Sequence, residues 1–204
     1  MWKTIEYAAT GRGHRRAGIP CQDKVRTLKN NEVTVAALSD GAGSAKLSHF
    51  GAEAVLEAVG REIAENFDVY FEENDGKMIR LGILDKVRDA LMTRREKLGC
   101  AIKDLSSTLL LAAVSGSRYF IIHIGDGVIG CLKNGEIKVI STPENGNFAN
   151  ETYFTTSPSV LSHMRIMKGD DREIHGFVLM SDGTENALYN KKTKELSQGI
   201  KKIM

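Results

Sequence analysis

The sequence predicts an α+β fold in which antiparallel sheets are covered by helices, and three observations support it. Residues 108–114 and 119–124 are nearly continuous apolar runs, as in strands that are buried on both faces. Short turn sequences separate consecutive strands, which favours hairpins. The helical stretches are grouped between strands and do not alternate with them, which argues against a parallel doubly wound sheet. We therefore expect two stacked sheets with helices outside them.

The first half of the chain predicts one strand followed by two helices. Residues 33–38 form a short apolar run rich in β-branched residues, which is typical of a buried strand and places Asp40 at its end. From residue 47 to 66 the apolar residues recur at helical spacing, and a second amphipathic stretch follows between residues 83 and 91. The two helices are therefore adjacent in sequence.

The second half of the chain predicts strands joined by hairpins. These strands are expected at 108–114, 119–124, Val128–Lys133, 136–140 and 177–180. Asn134-Gly135 is the strongest short hairpin signal, because both residues accept positive φ values. Loops are expected at 11–23, 40–46, 71–77 and 141–159.

Composition limits the classes of function. A chain of 204 residues with 42% hydrophobic residues can bury one sizeable core, so a single domain over residues 1–204 is expected. The net charge of +2 provides no broad cationic field, which argues against nucleic acid or an anionic membrane as partner. Three widely spaced cysteines match neither a disulfide framework nor a zinc motif. We expect a cytoplasmic protein.

Three Asp-Gly pairs point to a metal site. They follow apolar runs at 40–41, 126–127 and 182–183. A single pair is best interpreted as a turn, but the ends of neighbouring strands lie together, so three pairs predict converging carboxylates. Clustered carboxylates repel one another unless a proton or a cation compensates them, and Mg²⁺ or Mn²⁺ prefers such oxygen ligands.

The order of the motifs resembles that of the protein phosphatase 2C family, in particular its compact bacterial branch. The matching segments are Gly-Ile-Pro-Cys-Gln-Asp at 18–23, Ser-Asp-Gly-Ala-Gly-Ser at 39–44, Ser-Ser-Thr-Leu-Leu at 106–110, His-Ile-Gly-Asp-Gly at 123–127 and Leu-Met-Ser-Asp-Gly at 179–183. Each segment is weak evidence alone, but five in the family's order make the resemblance specific.

The resemblance implies a four-layer α-β-β-α sandwich with two Mn²⁺ or Mg²⁺ ions at one end. Asp40 would bridge the ions, the Gly41 carbonyl would bind one and Asp182 the other, while Asp23 would orient the reacting water. Asp126 would join Asp182 in a weaker third site. The implied reaction is hydrolysis of phosphoserine or phosphothreonine on proteins, often opposite a cognate kinase, by a metal-activated water.

Several positions depart from the family's pattern. Gln22 stands where many relatives carry glutamate, and the phosphate-gripping arginine of relatives is absent, so His14 and Arg16 are the candidates for holding phosphate. No acidic motif follows Glu195, so the family's final aspartate and closing strand are expected to be missing. Two alternatives to an active enzyme follow: a catalytically silent module that binds a phosphoprotein or regulatory partner, and a sensor stabilised by metal.

Overall fold

The computed structural model describes residues 2–144, 152–202 and 204, without the side chains of residues 185 and 186. The helices are α1 (Arg12–Ala17), α2 (Ser48–Glu72), α3 (Gly76–Leu98), α4 (Val160–His163) and α5 (Asp182–Leu188). The strands are β1 (Lys24–Asn30), β2 (Val33–Ser39), β3 (Leu109–Ser115), β4 (Arg118–Ile124), β5 (Val128–Lys133), β6 (Glu136–Ser141), β7 (Arg165–Asp170), β8 (Ile174–Met180), β9 (Tyr189–Asn190) and β10 (Glu195–Leu196). Short 3-10 helices lie at Ile102–Leu105 and Gln198–Lys202.

The strands form two principal sheets in which every pairing is antiparallel. The larger sheet has the order β1-β2-β3-β4-β7 and the smaller one has the order β6-β5-β8. β3 is the central strand of the larger sheet, and its side chains are buried along its whole length. The predicted antiparallel strands, including the hairpin at Asn134-Gly135 with positive φ at both residues, are confirmed.

Helices α2 and α3 cover the outer face of the larger sheet. Their apolar residues recur at helical spacing, so Val55, Val59 and Ile63 of α2 all face the sheet and are almost completely buried. Asp75 begins α3 by accepting the backbone N–H of Lys77 at 2.8 Å. The two long helices thereby form the first layer of the molecule.

The inner faces of the two sheets pack against each other, and a thinner layer covers the smaller sheet from outside. Leu110 and Ile121 of the larger sheet meet Ile129 of the smaller one in a dry core. Outside the smaller sheet, Leu196 and Ile200 from the C-terminal segment pack on its strands. The four-layer architecture is confirmed, although the fourth layer is built from α5, the short antiparallel pair of β9 and β10, and a 3-10 helix. Within the described residues, no strand joins either principal sheet after β8.

Three predictions for local structure were wrong or incomplete. The expected loop at 11–23 contains α1 and leads directly into β1, and neither β1 nor β7 was predicted. Both strands lie at the edges of the larger sheet, where solvent is accessible, so their sequences are too polar for an apolar-run criterion. Helix α2 extends to residue 72, past a kink at Asn66. The predicted loop at 141–159 includes residues 145–151, which are outside the described residues.

The topology brings the predicted motifs to one end of the sandwich. β2, β4 and β8 end there, and β1, β3 and β5 begin there, as their antiparallel registers require. Among the described residues, no helix has both the length and the apolar character needed to cross a bilayer.

Candidate metal centre

The backbone of Asp40 is held by the central strand of the larger sheet. Its N–H donates to the hydroxyl oxygen of Thr108 at 2.9 Å, and its carbonyl accepts the Thr108 N–H at 2.8 Å. Ser39 donates its hydroxyl to the Thr108 carbonyl at 2.5 Å. An antiparallel bridge between Gly41 and Ser107 extends the β2–β3 register past the end of β2. Asp40 therefore projects from a rigid sheet edge and not from a free loop.

Asp23 and Asp182 approach Asp40 from two other elements. Asp23 immediately precedes β1, and Asp182 follows β8 as the first residue of α5. The carboxyl group of Asp40 is in hydrogen-bonding contact with both of them. Asp23 also accepts a hydrogen bond from the side chain of Ser181, which is buried. Of the three Asp-Gly carboxylates expected to converge, the structure brings Asp40 and Asp182 together; the third member of the cluster is Asp23, and the carboxylates come from two stacked sheets and not from one.

The electrostatics of this carboxylate cluster are dominated by burial and like charge. Burial, followed by the charge of Asp23 and the contact with Asp182, raises the pKa of Asp40 to about 9. Burial is also the largest cause of the raised pKa of Asp23, to which the charge of Asp182 adds; hydrogen bonds from Asp40 and Ser181 act in the opposite direction. At neutral pH, Asp40 therefore keeps its proton unless a cation supplies positive charge to the cluster.

The donor set fits hard divalent cations. It consists of three carboxylates and the Gly41 carbonyl, to which no described residue donates a hydrogen bond. Oxygen donors of this kind suit Mg²⁺ and Mn²⁺. Within the described part of the chain, no three His, Cys, Asp or Glu side chains are spaced as the ligands of one ion.

The turn at Gly41 is pressed against the beginning of α2. A side chain at Gly41 would place its Cβ 2.6 Å from the Ser48 hydroxyl oxygen, so this position requires glycine. The Gln22 amide donates to the same hydroxyl at 2.8 Å and to the Ala42 carbonyl at 3.4 Å. The uncharged Gln22 amide therefore connects the turn to the helix. An ionised glutamate at this position could not donate these hydrogen bonds.

The other predicted site residues have different positions. Asp126 follows β4, and its carboxylate accepts the Thr152 hydroxyl at 2.6 Å; no contact with Asp182 is observed among the described residues. His14, on α1, lies close enough to Asp23 to lower the pKa of that carboxyl. Arg16 is exposed on the same helix and makes no hydrogen bond or ion pair with the described residues of the cluster. The structure therefore brings together Asp23, Asp182 and His14 around Asp40, but not Asp126 or Arg16.

His123, which sequence reasoning interpreted as a core histidine, is fully buried beside the turn that carries Asp126. Its Nε2 lies 3.0 Å from the Gly125 carbonyl, which can only accept, so Nε2 donates and Nδ1 is left to accept the Ser141 hydroxyl at 2.7 Å. Burial and the charge of Arg165 lower the pKa of His123 to about 3. A neutral imidazole with both nitrogens engaged is a structural group, as predicted.

Two residues of the site were missed by sequence reasoning, namely Thr108 and Ser181. Both lie inside quoted motifs, but a hydroxyl residue beside a strand end has no distinguishing pattern. Only the register of β3 with β2 shows that Thr108 faces Asp40.

A family model described as protein phosphatase 2C matches residues 10–202, almost the whole chain. The chain belongs to the protein phosphatase 2C family. The family assignment made from the motifs is thereby confirmed.

Individual relatives agree with this assignment. The chain is 26% identical over 196 residues to serine/threonine-protein phosphatase 3 of Escherichia coli K12, covering 93% of this chain and 76% of that protein. The fold is similar to that of the serine/threonine phosphatase Stp1 from Staphylococcus aureus, with a TM-score of 0.63, 15% identity and coverage of 96% and 84%. It is also similar to the catalytic domain of PstP, solved with two manganese ions, with a TM-score of 0.54, 19% identity and coverage of 84% and 81%.

Proposed function

We propose that this phosphatase 2C chain hydrolyses phosphoserine or phosphothreonine on proteins in the cytoplasm, opposite a cognate serine/threonine kinase, and that it uses Mn²⁺ or Mg²⁺. The observation that carries the proposal is the convergence of Asp23, Asp40 and Asp182 with raised pKa values at the first two. Carboxylates are held this close, at a cost to stability, where a cation is to be bound. The relative from Escherichia coli, named as a serine/threonine-protein phosphatase, supports the substrate class.

Each residue has a proposed role. Asp40 would hold two ions, with the Gly41 carbonyl and Asp182 completing the separate ligand sets, and Asp23 would orient the attacking water. Asp126, already oriented by Thr152, would contribute to a weaker third site. The bound ions would supply charge neutralisation on the phosphate and acidification of water. The two hydrogen bonds between Asp40 and Thr108 would fix the backbone position of the central carboxylate.

The phosphate group would be held by α1. His14 is near Asp23 and would contact a phosphate oxygen in its protonated form, while Arg16, exposed on the last turn of the same helix, would contact the substrate from outside. α1 has six residues and none of them is buried, so few packing contacts would oppose its adjustment to a bound substrate.

The experiment that tests the proposal is hydrolysis of a phosphothreonine peptide by the purified chain with Mn²⁺, with Mg²⁺ and with a chelator, in parallel with Asp40→Asn. Turnover that requires metal and disappears in the variant supports the proposal. Folded protein that binds Mn²⁺ without turnover would refute hydrolysis and favour the two alternatives, a silent phosphatase-like module that binds a phosphoprotein or regulatory partner and a sensor stabilised by metal. Metal-independent turnover, or full activity of the variant, would refute the proposed site.

A further inference from the structure

The position of Thr108 in the larger sheet connects two of the three aspartate turns. The bridge between Gly41 and Ser107 continues the β2–β3 register, so Thr108 lies opposite Asp40. On its other side, the β3–β4 register pairs Leu109 with Ile124, so the next position of β4 that faces Thr108 is residue 125. One residue of the central strand therefore borders both turns.

Different atoms of Thr108 contact the two turns. The hydroxyl oxygen accepts the Asp40 N–H at 2.9 Å. The methyl group packs against Gly125, where a Cβ would approach the Thr108 Cγ2 to 2.6 Å and where φ is +109°. Thr108 is 3% exposed, so neither contact competes strongly with solvent. Valine would preserve the shape and lose the acceptor, whereas serine would preserve the acceptor and lose the methyl group.

We infer that Thr108 is a positioning residue of the metal centre: its hydroxyl, bonded to the Asp40 backbone, sets the direction of the Asp40 carboxylate, and its methyl group supports the turn before Asp126. This inference rests on the proposed function. Thr108 touches neither metal nor substrate and acts only through Asp40 and Gly125.

The physical reason is that a peptide N–H constrains the side chain on the same residue. Asp40 is anchored through both its N–H and its carbonyl, and both partners belong to Thr108. The carbonyl contact is a backbone interaction that any residue at position 108 would make, but the N–H contact requires a side-chain oxygen. Without it the donor is left unpaired inside the site, and the peptide is free to rotate toward another acceptor. Groups that orient metal ligands change metal affinity or activity by about 10- to 100-fold when removed.

The test measures Mn²⁺ affinity by electron paramagnetic resonance of free Mn²⁺, independently of turnover. Thr108→Val is expected to raise the Mn²⁺ dissociation constant by about 10- to 100-fold, whereas Thr108→Ser keeps it close to the wild-type value. Thermal unfolding in chelator reports any purely structural effect. A folded Thr108→Val protein that melts at a lower temperature but binds Mn²⁺ like wild type would overturn the inference.

If Thr108→Val does not fold, Thr108→Ser and Thr108→Ala form a second pair that differs only in the hydroxyl. Weaker Mn²⁺ binding by the alanine variant than by the serine variant supports the inference, and equal binding overturns it. The outcome for the proposed function is separate. Wild type that binds no Mn²⁺ refutes both the proposed function and the inference about Thr108. Wild type that binds Mn²⁺ without turnover refutes only hydrolysis, and the comparison of Mn²⁺ affinities still decides the inference about Thr108.

Discussion

The pKa values of carboxyl groups are shifted in opposite directions at the two ends of the sandwich. At the metal end, Asp23 and Asp40 lie beside like charges and partly out of water, and the pKa of each is raised. At the other end, Asp171 contacts Lys133 at 2.6 Å, and this hydrogen bond, followed by one from the Glu173 N–H, lowers its pKa. At the first end, ionisation of the carboxyl groups is unfavourable unless a cation is bound. At the second end, Lys133 already neutralises the charge of Asp171.

The strands explain why the ends differ. The metal end is formed by six strand termini, and Asp23 and Asp40 are only partly exposed there, so their charges are incompletely solvated. The opposite end is formed by exposed turns, where Arg118 pairs with Asp68 at 2.8 Å and stacks on Phe67 and Phe71 at 5.4 and 5.2 Å. The end with the raised pKa values is the proposed metal site, and the opposite end contributes ion pairs to stability, so the same substitution is expected to have different consequences at each end.

The largest expected effect is on turnover. Asp182→Asn should reduce metal-dependent hydrolysis of a phosphothreonine peptide by about 100-fold or more, because it removes a charged ligand from the cluster. The matched change at the opposite end, Asp171→Asn, should leave turnover unchanged. Initial rates over a range of Mn²⁺ concentrations measure both, and an Asp182→Asn protein with wild-type rates would remove the functional distinction between the two ends.

The second effect is on stability without metal. The pKa of Asp40 is raised from 3.8 to about 9 in the folded state. The folded state therefore resists ionisation of Asp40, and the free energy of unfolding falls progressively as pH rises through this interval. Asp40→Asn cannot ionise, so in chelator at pH 7 it should be more stable than wild type by about 4 kcal/mol. Urea unfolding measures the difference, which should shrink toward pH 4. A variant less stable than wild type at pH 7 would show that the cluster is not strained.

The third effect is a pH dependence due to His123, the neutral group beside the Asp126 turn. Its pKa of about 3 lies below the 6.5 of an unperturbed histidine, so the folded state excludes a proton that the unfolded chain binds. Its contribution to stability is complete above pH 6.5 and is lost as pH falls toward 3, by about 2 kcal/mol between pH 7 and 5.

His123→Gln retains an amide donor for the Gly125 carbonyl and does not titrate, so it should lack this loss of stability. Urea unfolding of both proteins at pH 5, 6 and 7 in chelator provides the measurement, since the carboxylate cluster contributes equally to the two curves. Parallel curves would mean that the imidazole accepts a proton in the folded state.

The smallest effect is expected at the neutralised end. Lys133→Gln removes the partner of Asp171, so the pKa of that carboxyl should return toward its ordinary value. The lost stabilisation is present above pH 4 and disappears on acidification, and it should be slight because the pair is accessible to solvent. Thermal unfolding at pH 7 in low and high salt measures this loss of stability. High salt should reduce the difference in melting temperature between the variant and the wild type. A large decrease in the melting temperature of the variant would contradict the expected difference between the two ends.

How far the sequence could be interpreted depended on burial. The strands of the interior were predictable because apolar runs such as 119–124 have few alternatives once they must be covered on both faces. The edge strand Lys24–Asn30 was not, because half of its surface faces solvent and its composition matches that of a loop. Helix α1 was missed for the same reason, since it buries no residue and its glycines and arginines carry no periodic signal.

The candidate site shows the same division. Asp40 and Asp182 were predictable as candidates because each follows an apolar run in an Asp-Gly pair, and Asp23 because its segment resembles the family's first acidic motif. Their partners were not: Gln22 stands out as a departure from that family, yet only its contact with Ser48 shows that the amide fastens the Gly41 turn to α2.

The sequence by itself determined which residues are apolar along each strand, where the Asp-Gly turns follow them, and which family the motif order resembles, because these are properties of neighbouring positions. The tertiary structure alone decided that two stacked sheets bring Asp40 and Asp182 together, that Asp126 lies apart with Thr152, and that Thr108 stands between Asp40 and Gly125. Such contacts depend on register across sheets, and register is set by the packing of the whole core, which no local pattern encodes.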